Sequence, residues 1–217
     1  MNTFLIESCN PELFTFTKPK KHGEYLICKV KYPENDTITL QFPKMTISSE
    51  PTTKAIELEF KNDTGYNKKV YNFLSKIDDH VIEQITTKSE EWFDKKIPLD
   101  AVSQMYKKFI KSPKTSENNC TLNFNFMLKK KELLTLFVNS KNEPIDFTDL
   151  KKGSTVECIA QMKYIVFSKD SSFVTWDITC AKLHKRINRV PKFGFVEDPE
   201  DQQIDSDDED IEIHTFF

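Results

Sequence analysis

Glycine is scarce in this 217-residue chain, with four in all. Gly23, Gly65, Gly153 and Gly194 stand too far apart to build a loop that cradles phosphates, so P-loop and dinucleotide-binding chemistries fall together. The five cysteines, Cys9, Cys28, Cys120, Cys158 and Cys180, are odd in number and never spaced C-x-x-C. They read as small buried hydrophobes in a reducing, intracellular compartment rather than as a disulfide framework. His22, His80, His184 and His214 are isolated, and no zinc-ligand spacing can be written from them. There is no G-x-S-x-G elbow. Asp78-Asp79, the close acidic pair of the first helical stretch, points to two faces of that helix, which disfavours a metal-dependent nuclease. No apolar run approaches the roughly 18 residues a membrane span needs, and no signal peptide opens the chain. The expectation is a soluble protein with no membrane contact, no metal, no cofactor and no enzymatic activity.

Basic residues are missing from one informative place, residues 196–217. That stretch holds ten carboxylates, no Lys and no Arg, and stops on Phe216-Phe217. Such a run repels itself and buries too little apolar surface to fold, so it is expected to be a solvated, disordered tail. Without it the formal charge changes from −3 to +7, since residues 1–195 carry 31 basic side chains against 24 acidic ones. The two terminal phenylalanines oppose a pure solubility role. With Asp207, Asp208, Glu209 and Asp210, Phe216 and Phe217 read as an anchor for a basic-rimmed apolar pocket on a partner.

The body, residues 1–195, is long enough for one core, and 18 phenylalanines help to fill it. Residues 24–32 and 37–42 read as strands separated by turn chemistry at 33–36, and residues 54–60 alternate cleanly. The period then changes to three and four. Tyr66, Val70, Phe73, Leu74, Ile77, Val81 and Ile85 line a helix of about twenty residues, capped by Asp63 or Thr64. A second helix starts at Pro98 and carries Leu99, Val102, Met105, Tyr106, Phe109 and Ile110 on one face. This pair is read as an insertion over about 66–111. Strands return at 120–128 and 133–138, and a long hairpin joins 154–167 to 173–183 through a polar loop at 168–172. In the hairpin Val156, Cys158, Ala160, Met162, Tyr164 and Val166 are expected on one face, with Val174, Trp176, Ile178 and Cys180 on one face of the partner strand.

The loops and strand ends of this body are basic. Lys18, Lys20, Lys21, Lys129, Lys130, Lys131, Lys163, Lys169, Lys182, Lys185, Arg186 and Arg189 are the candidate phosphate contacts. Tyr164, Phe167 and Phe173, interleaved with them, are candidates for stacking unpaired bases, which every ring face allows whatever the base. The expected ligand is single-stranded DNA, with RNA as the alternative. A flexible polyanion tethered beside such a surface competes with nucleic acid for it. A second class also fits the residues: an interaction or virion structural protein that engages basic partners through its acidic arm.

Two resemblances sharpen this. An acidic tail ending in phenylalanine resembles that of bacterial and phage single-stranded DNA-binding proteins. Residues 89–96 (SEEWFDKK) with 101–106 (AVSQMY), and 164–167 (YIVF) with 173–176 (FVTW), resemble a single-stranded DNA-binding family of nucleocytoplasmic large DNA viruses. Here Tyr164 stands where that pattern has a small residue, and no glycine follows Phe173. The resemblance implies a mainly β (α+β), OB-fold-like barrel acting in viral DNA replication, recombination or repair. It also implies a tail that recruits a polymerase or helicase, in the host nucleus or a cytoplasmic viral factory. A homodimer paired through a barrel edge is compatible with that fold.

Overall fold

The structure is a computed structural model that describes residues 3–33, 37–61, 65–111, 119–130 and 132–185. The chain divides into Met1–Ile187 and Asn188–Phe217, and all described residues fall in the first unit. It opens with β1 (Thr3–Leu5), β2 (Thr15–Phe16), β3 (Lys20–His22), β4 (Tyr25–Lys31) and β5 (Thr39–Gln41). β6 (Met45–Ile47) and β7 (Ala55–Lys61) lead to helices α1 (Gly65–Phe93) and α2 (Leu99–Met105). Then come β8 (Ile110–Lys111), β9 (Asn119–Phe126), a small hairpin of β10 (Leu128–Lys129) with β11 (Glu132–Leu133), and β12 (Leu136–Asn139). The long hairpin of β13 (Thr155–Phe167) and β14 (Ser172–Lys185) completes the body.

Five strands close on themselves. β6 pairs with β7, β7 with β9, β9 with β14, β14 with β13, and β13 returns to β6. Every neighbour is antiparallel except β9 and β14, which run parallel. This is a closed OB-like barrel with a two-helix insertion, and closure removes the edges an open sheet would expose. The sequence dictates its inside. Ile56, Leu58 and Phe60 of β7, and Cys120, Leu122, Phe124 and Phe126 of β9, are buried, while the intervening residues meet solvent. Phe42, Phe124, Phe109 and Trp176 pack ring against ring at the centre, with centroids 4.9–5.8 Å apart.

The helices differ from expectation in length. α1 has 29 residues rather than about twenty. Its buried stripe continues past Ile85 through Ser89 and Trp92, and a serine at a buried position hides the continuation from a hydrophobicity pattern. The Ser89 hydroxyl is satisfied there, donating to Thr86 O (2.8 Å) and accepting from Ile97 N (3.0 Å). Asp94, in the left-handed region at φ 54°, turns the chain out of the helix. The proposed caps Asp63 and Thr64 lie outside the described residues. α2 is shorter than expected, seven residues after Pro98. At Tyr106 the chain becomes extended, bridges Ser172, and continues as β8 against β9. Met105, Tyr106, Phe109 and Ile110 have helical spacing, but the barrel seam captures the last three.

The hairpin forms as read, with its turn at residues 168–171 closed by Ser168, whose Oγ donates to Ser171 O (2.9 Å) and accepts from Ser171 N (3.1 Å). Its facing differs. Ile159 pairs with Cys180 but Ala160 pairs with Ile178, so Thr179 is an extra residue on β14. The phase reverses there, leaving Cys180 half-exposed while Ala181 and Leu183 are buried.

Candidate nucleic-acid interface

An unbroken alternation from Cys158 through Ala160 and Met162 would sink Tyr164 into the core. A second bulge prevents this. Met162 pairs with Trp176 and Tyr164 with Thr175, which makes Lys163 the extra residue on β13. Ile165 becomes fully buried in consequence, and Tyr164 and Val166, expected on the core face, are half-exposed instead.

From this bulge one exposed face runs across four strands. Lys20 pairs with Ile27, Ile27 with Val166, and Val166 with Phe173. Two residues along, Lys29 pairs with Tyr164 and Tyr164 with Thr175. Paired residues share a face and steps of two preserve it, so Lys20, Lys29, Tyr164 and Phe173 stand on one side of the β3-β4-β13-β14 layer. Cys28, Ile165 and Val174 are buried on the other.

The N-terminal end of this face is a cleft of about 460 Å³ lined by Thr17, Lys20, Ile27, Lys29, Lys31, Lys163 and Tyr164. Thr17 Oγ1 accepts from Lys29 N (3.0 Å) and holds the basic 18–21 stretch against β4. The Lys163 ammonium lies 5.6 Å from the Tyr164 ring centroid and 2.9 Å from Asp177 Oδ2. It therefore braces the ring and keeps a donor beside it. Lys29 and Lys31 reach the cleft from inside a strand rather than from a basic loop. Their signal was the alternation of residues 25–31, which puts both on the face of Tyr25 and Ile27.

Among the residues singled out, Lys20, Lys163 and Tyr164 meet in this cleft, and Phe173 lies along the same face. Lys18 and Lys21 are exposed on the same N-terminal segment, and Lys169 is exposed at the hairpin turn. Lys129 and Lys130 project from the β10–β11 hairpin and line no part of the cleft. Lys182 and Lys185 pair with Glu157 and Thr155, seven and nine residues along β13 from Tyr164. That places them roughly 20–30 Å away at about 3.3 Å per residue. Lys131, Arg186, Arg189, Asp207, Asp208, Glu209, Asp210, Phe216 and Phe217 lie outside the described residues.

The rings divide in two groups. Phe167 is engaged with Phe93 (5.2 Å) and Trp92 (6.4 Å), and Trp176 is 1% exposed. Neither Tyr164 nor Phe173 belongs to the packed core, so each has ring surface to offer. Asp78 is a buried carboxylate that the sequence had assigned no partner. It accepts from Tyr106 Oη (2.6 Å) and Phe109 N (3.1 Å), and burial raises its pKa to about 6 although both hydrogen bonds oppose the shift. Burial also pushes the Cys28 thiol up to about 12 and that of Cys9 to about 11, so neither is a thiolate nucleophile near neutrality. Among the described residues no three His, Cys, Asp or Glu side chains cluster to hold a metal, and no helix is long and apolar enough to cross a membrane.

A family model described as a family of unknown function, DUF5871, matches residues 52–197, from the second barrel strand to beyond the last. The chain belongs to this family. No curated protein matches the DUF5871 chain in sequence. In fold it is similar to gp2.5, a single-stranded DNA binding protein encoded by bacteriophage T7, with a TM-score of 0.52 at 10% identity over 81% of this chain and 100% of that one. It also matches the single-stranded DNA-binding protein from bacteriophage Enc34, with a TM-score of 0.46 at 15% identity over 87% and 99% of the two chains. At 10% identity the likeness to gp2.5 is one of fold.

Proposed function

We propose that this DUF5871 protein binds single-stranded DNA without sequence preference across the outer face of the β3-β4-β13-β14 layer. The observation that carries the reading is the pair Lys20 and Lys29 on one face with two rings, Tyr164 and Phe173, that the fold leaves outside its core, with Lys163, paired to Asp177, braced against Tyr164. A lysine row neutralises successive phosphates, and rings at strand spacing accept unpaired bases on their faces. Duplex DNA hides those faces, so the preference is for single strands. OB barrels bind oligonucleotides across a sheet face, and the fold likeness to a phage single-stranded DNA binding protein agrees with this use. The role so exercised is one in viral DNA replication, recombination or repair.

The acidic segment at 196–217 regulates this surface in the same reading. Its ten carboxylates compete with phosphates for the lysines, and its Phe216-Phe217 end recruits a replication protein such as a polymerase or helicase. Titrating fluorescent single- and double-stranded oligonucleotides with the full chain and a 1–195 truncation, each at two salt concentrations, tests the binding and its regulation by the acidic segment. Single strands should bind in preference to duplex, affinity should fall steeply with salt, and truncation should tighten binding. A truncated protein that retains no single strand at low salt contradicts the reading.

A further inference from the structure

We propose that the seam segment 106–111 is a second contact for the same strand, with Lys107, Lys108 and Lys111 taking phosphates beside a base held at Phe173. The inference rests on the function proposed above and extends its site to residues of the helical insertion.

The segment leaves α2, bridges the start of β14 through Tyr106, and joins β9 as β8. It thereby fills the gap where β9 and β14 diverge. Its side chains sort cleanly. Tyr106, Phe109 and Ile110 are 6–8% exposed and anchor it in the core, whereas Lys107, Lys108 and Lys111 are all exposed. Asp78 ties the anchor down through Tyr106 Oη and Phe109 N, and Lys107 N donates to Ser172 O (2.8 Å), one residue before Phe173. The three lysines consequently flank a cleft of about 210 Å³ lined also by Asn123, Asn125, Phe173 and Thr175.

This cleft continues the exposed face already described. Thr175 is the cross-strand partner of Tyr164, and Phe173 stands in the row of Lys20. Crossing from β3 over β4, β13 and β14 to the seam takes four interstrand steps, about 19 Å. A strand lying across the hairpin meets the N-terminal lysines first, then Tyr164 and Phe173, then the seam lysines. The carboxylates beside the seam do not oppose this. Lys108 Nζ is 3.9 Å from Asp79 Oδ1 and Lys111 Nζ is 3.3 Å from Glu57 Oε2, in pairs at least partly open to solvent, and such pairs exchange readily for a phosphate. The Asn123 amide, oriented to suit its neighbours, donates to Glu57 Oε2 (3.1 Å) and accepts from Lys111 Nζ (2.7 Å), which keeps the ammonium at the cleft until a phosphate replaces Glu57.

The test uses the full chain, fluorescent oligo-dT of about 4 and about 15 nucleotides, and the triple variant K107Q/K108Q/K111Q. A control variant, K141Q/K151Q/K152Q, removes the same charge from exposed positions that line neither cleft. The seam variant should bind the long strand about ten-fold more weakly and lower its salt slope by about 2, roughly 0.7 per lost phosphate contact. Its affinity for the short strand should change much less, and the control should match the parent. Unchanged long-strand affinity and slope in the seam variant, with Tyr164→Ala weakening both lengths, overturns the inference and leaves the proposed function standing. Equal loss in the seam and control variants also overturns it, by reducing the effect to net charge. A parent protein that binds neither length overturns both.

Discussion

Asp78 shows how one buried side chain spends stability on geometry. Its pKa is raised to about 6 from 3.8 because burial disfavours the carboxylate more than its hydrogen bonds from Tyr106 and Phe109 favour it. A raised acid favours the fold while protonated. The contribution is complete below about pH 4 and is lost as pH rises through about 6, a change of about 3 kcal/mol. Asp78→Asn keeps a carbonyl acceptor but does not titrate. Denaturant unfolding at pH 4, 5, 6 and 7 should show wild type losing ground to this variant by that order as pH rises. Parallel profiles would contradict the assignment. Sequence placed Asp78 and Asp79 on different faces correctly, since Asp78 is buried and Asp79 exposed. It gave no sign of Asp78's partners, which lie 28 and 31 residues away. Tyr164 had the same difficulty, because a single inserted Lys163 decides which way its ring faces.

At the scale of elements, the period of the apolar residues identified strands and helices but not where each stops. The alternation of β7 and β9 and the polar turn of the long hairpin were legible because each is set by residues within a few positions of one another. α1 ran longer than read because Ser89 occupies a buried place on its apolar stripe. α2 ended sooner because β14 and β9 compete for Tyr106 and Ile110. The second departure rests on a contact distant in sequence, Tyr106 with Ser172, and the first on a buried hydroxyl whose use only the chain beyond the helix reveals. Ser89 supplies a direct check on the first. Removing its hydroxyl leaves Ile97 N without an acceptor in a part-buried site, so Ser89→Ala should lower unfolding free energy by about 1–2 kcal/mol in a urea titration. A change below about 0.3 kcal/mol would mean that the hydroxyl does not hold the end of α1.

For the whole molecule, the sequence showed opposite charges stored in separate stretches, and the fold shows how part of the positive share is gathered. Lysines from β3 and β4 reach the hairpin of β13 and β14 although more than a hundred residues separate them, because β13 pairs with both β4 and β14. Lys129, Lys130, Lys182 and Lys185 looked equivalent in sequence, and the fold sets them apart, Lys129 and Lys130 on the separate β10–β11 hairpin and Lys182 and Lys185 by their register on β14. The aromatic residues sort by the same rule, with Phe167 and Trp176 turned to neighbouring rings and Tyr164 and Phe173 left on the lysine face. The central claim, that this face holds unpaired bases, is tested most directly by titrating fluorescent oligo-dT with the double variant Tyr164→Ala/Phe173→Ala. Two lost stacking contacts at about 1–3 kcal/mol each predict at least a 30-fold weaker complex, with the melting temperature nearly unchanged because neither ring is in the core. Binding equal to that of the parent protein would contradict the account.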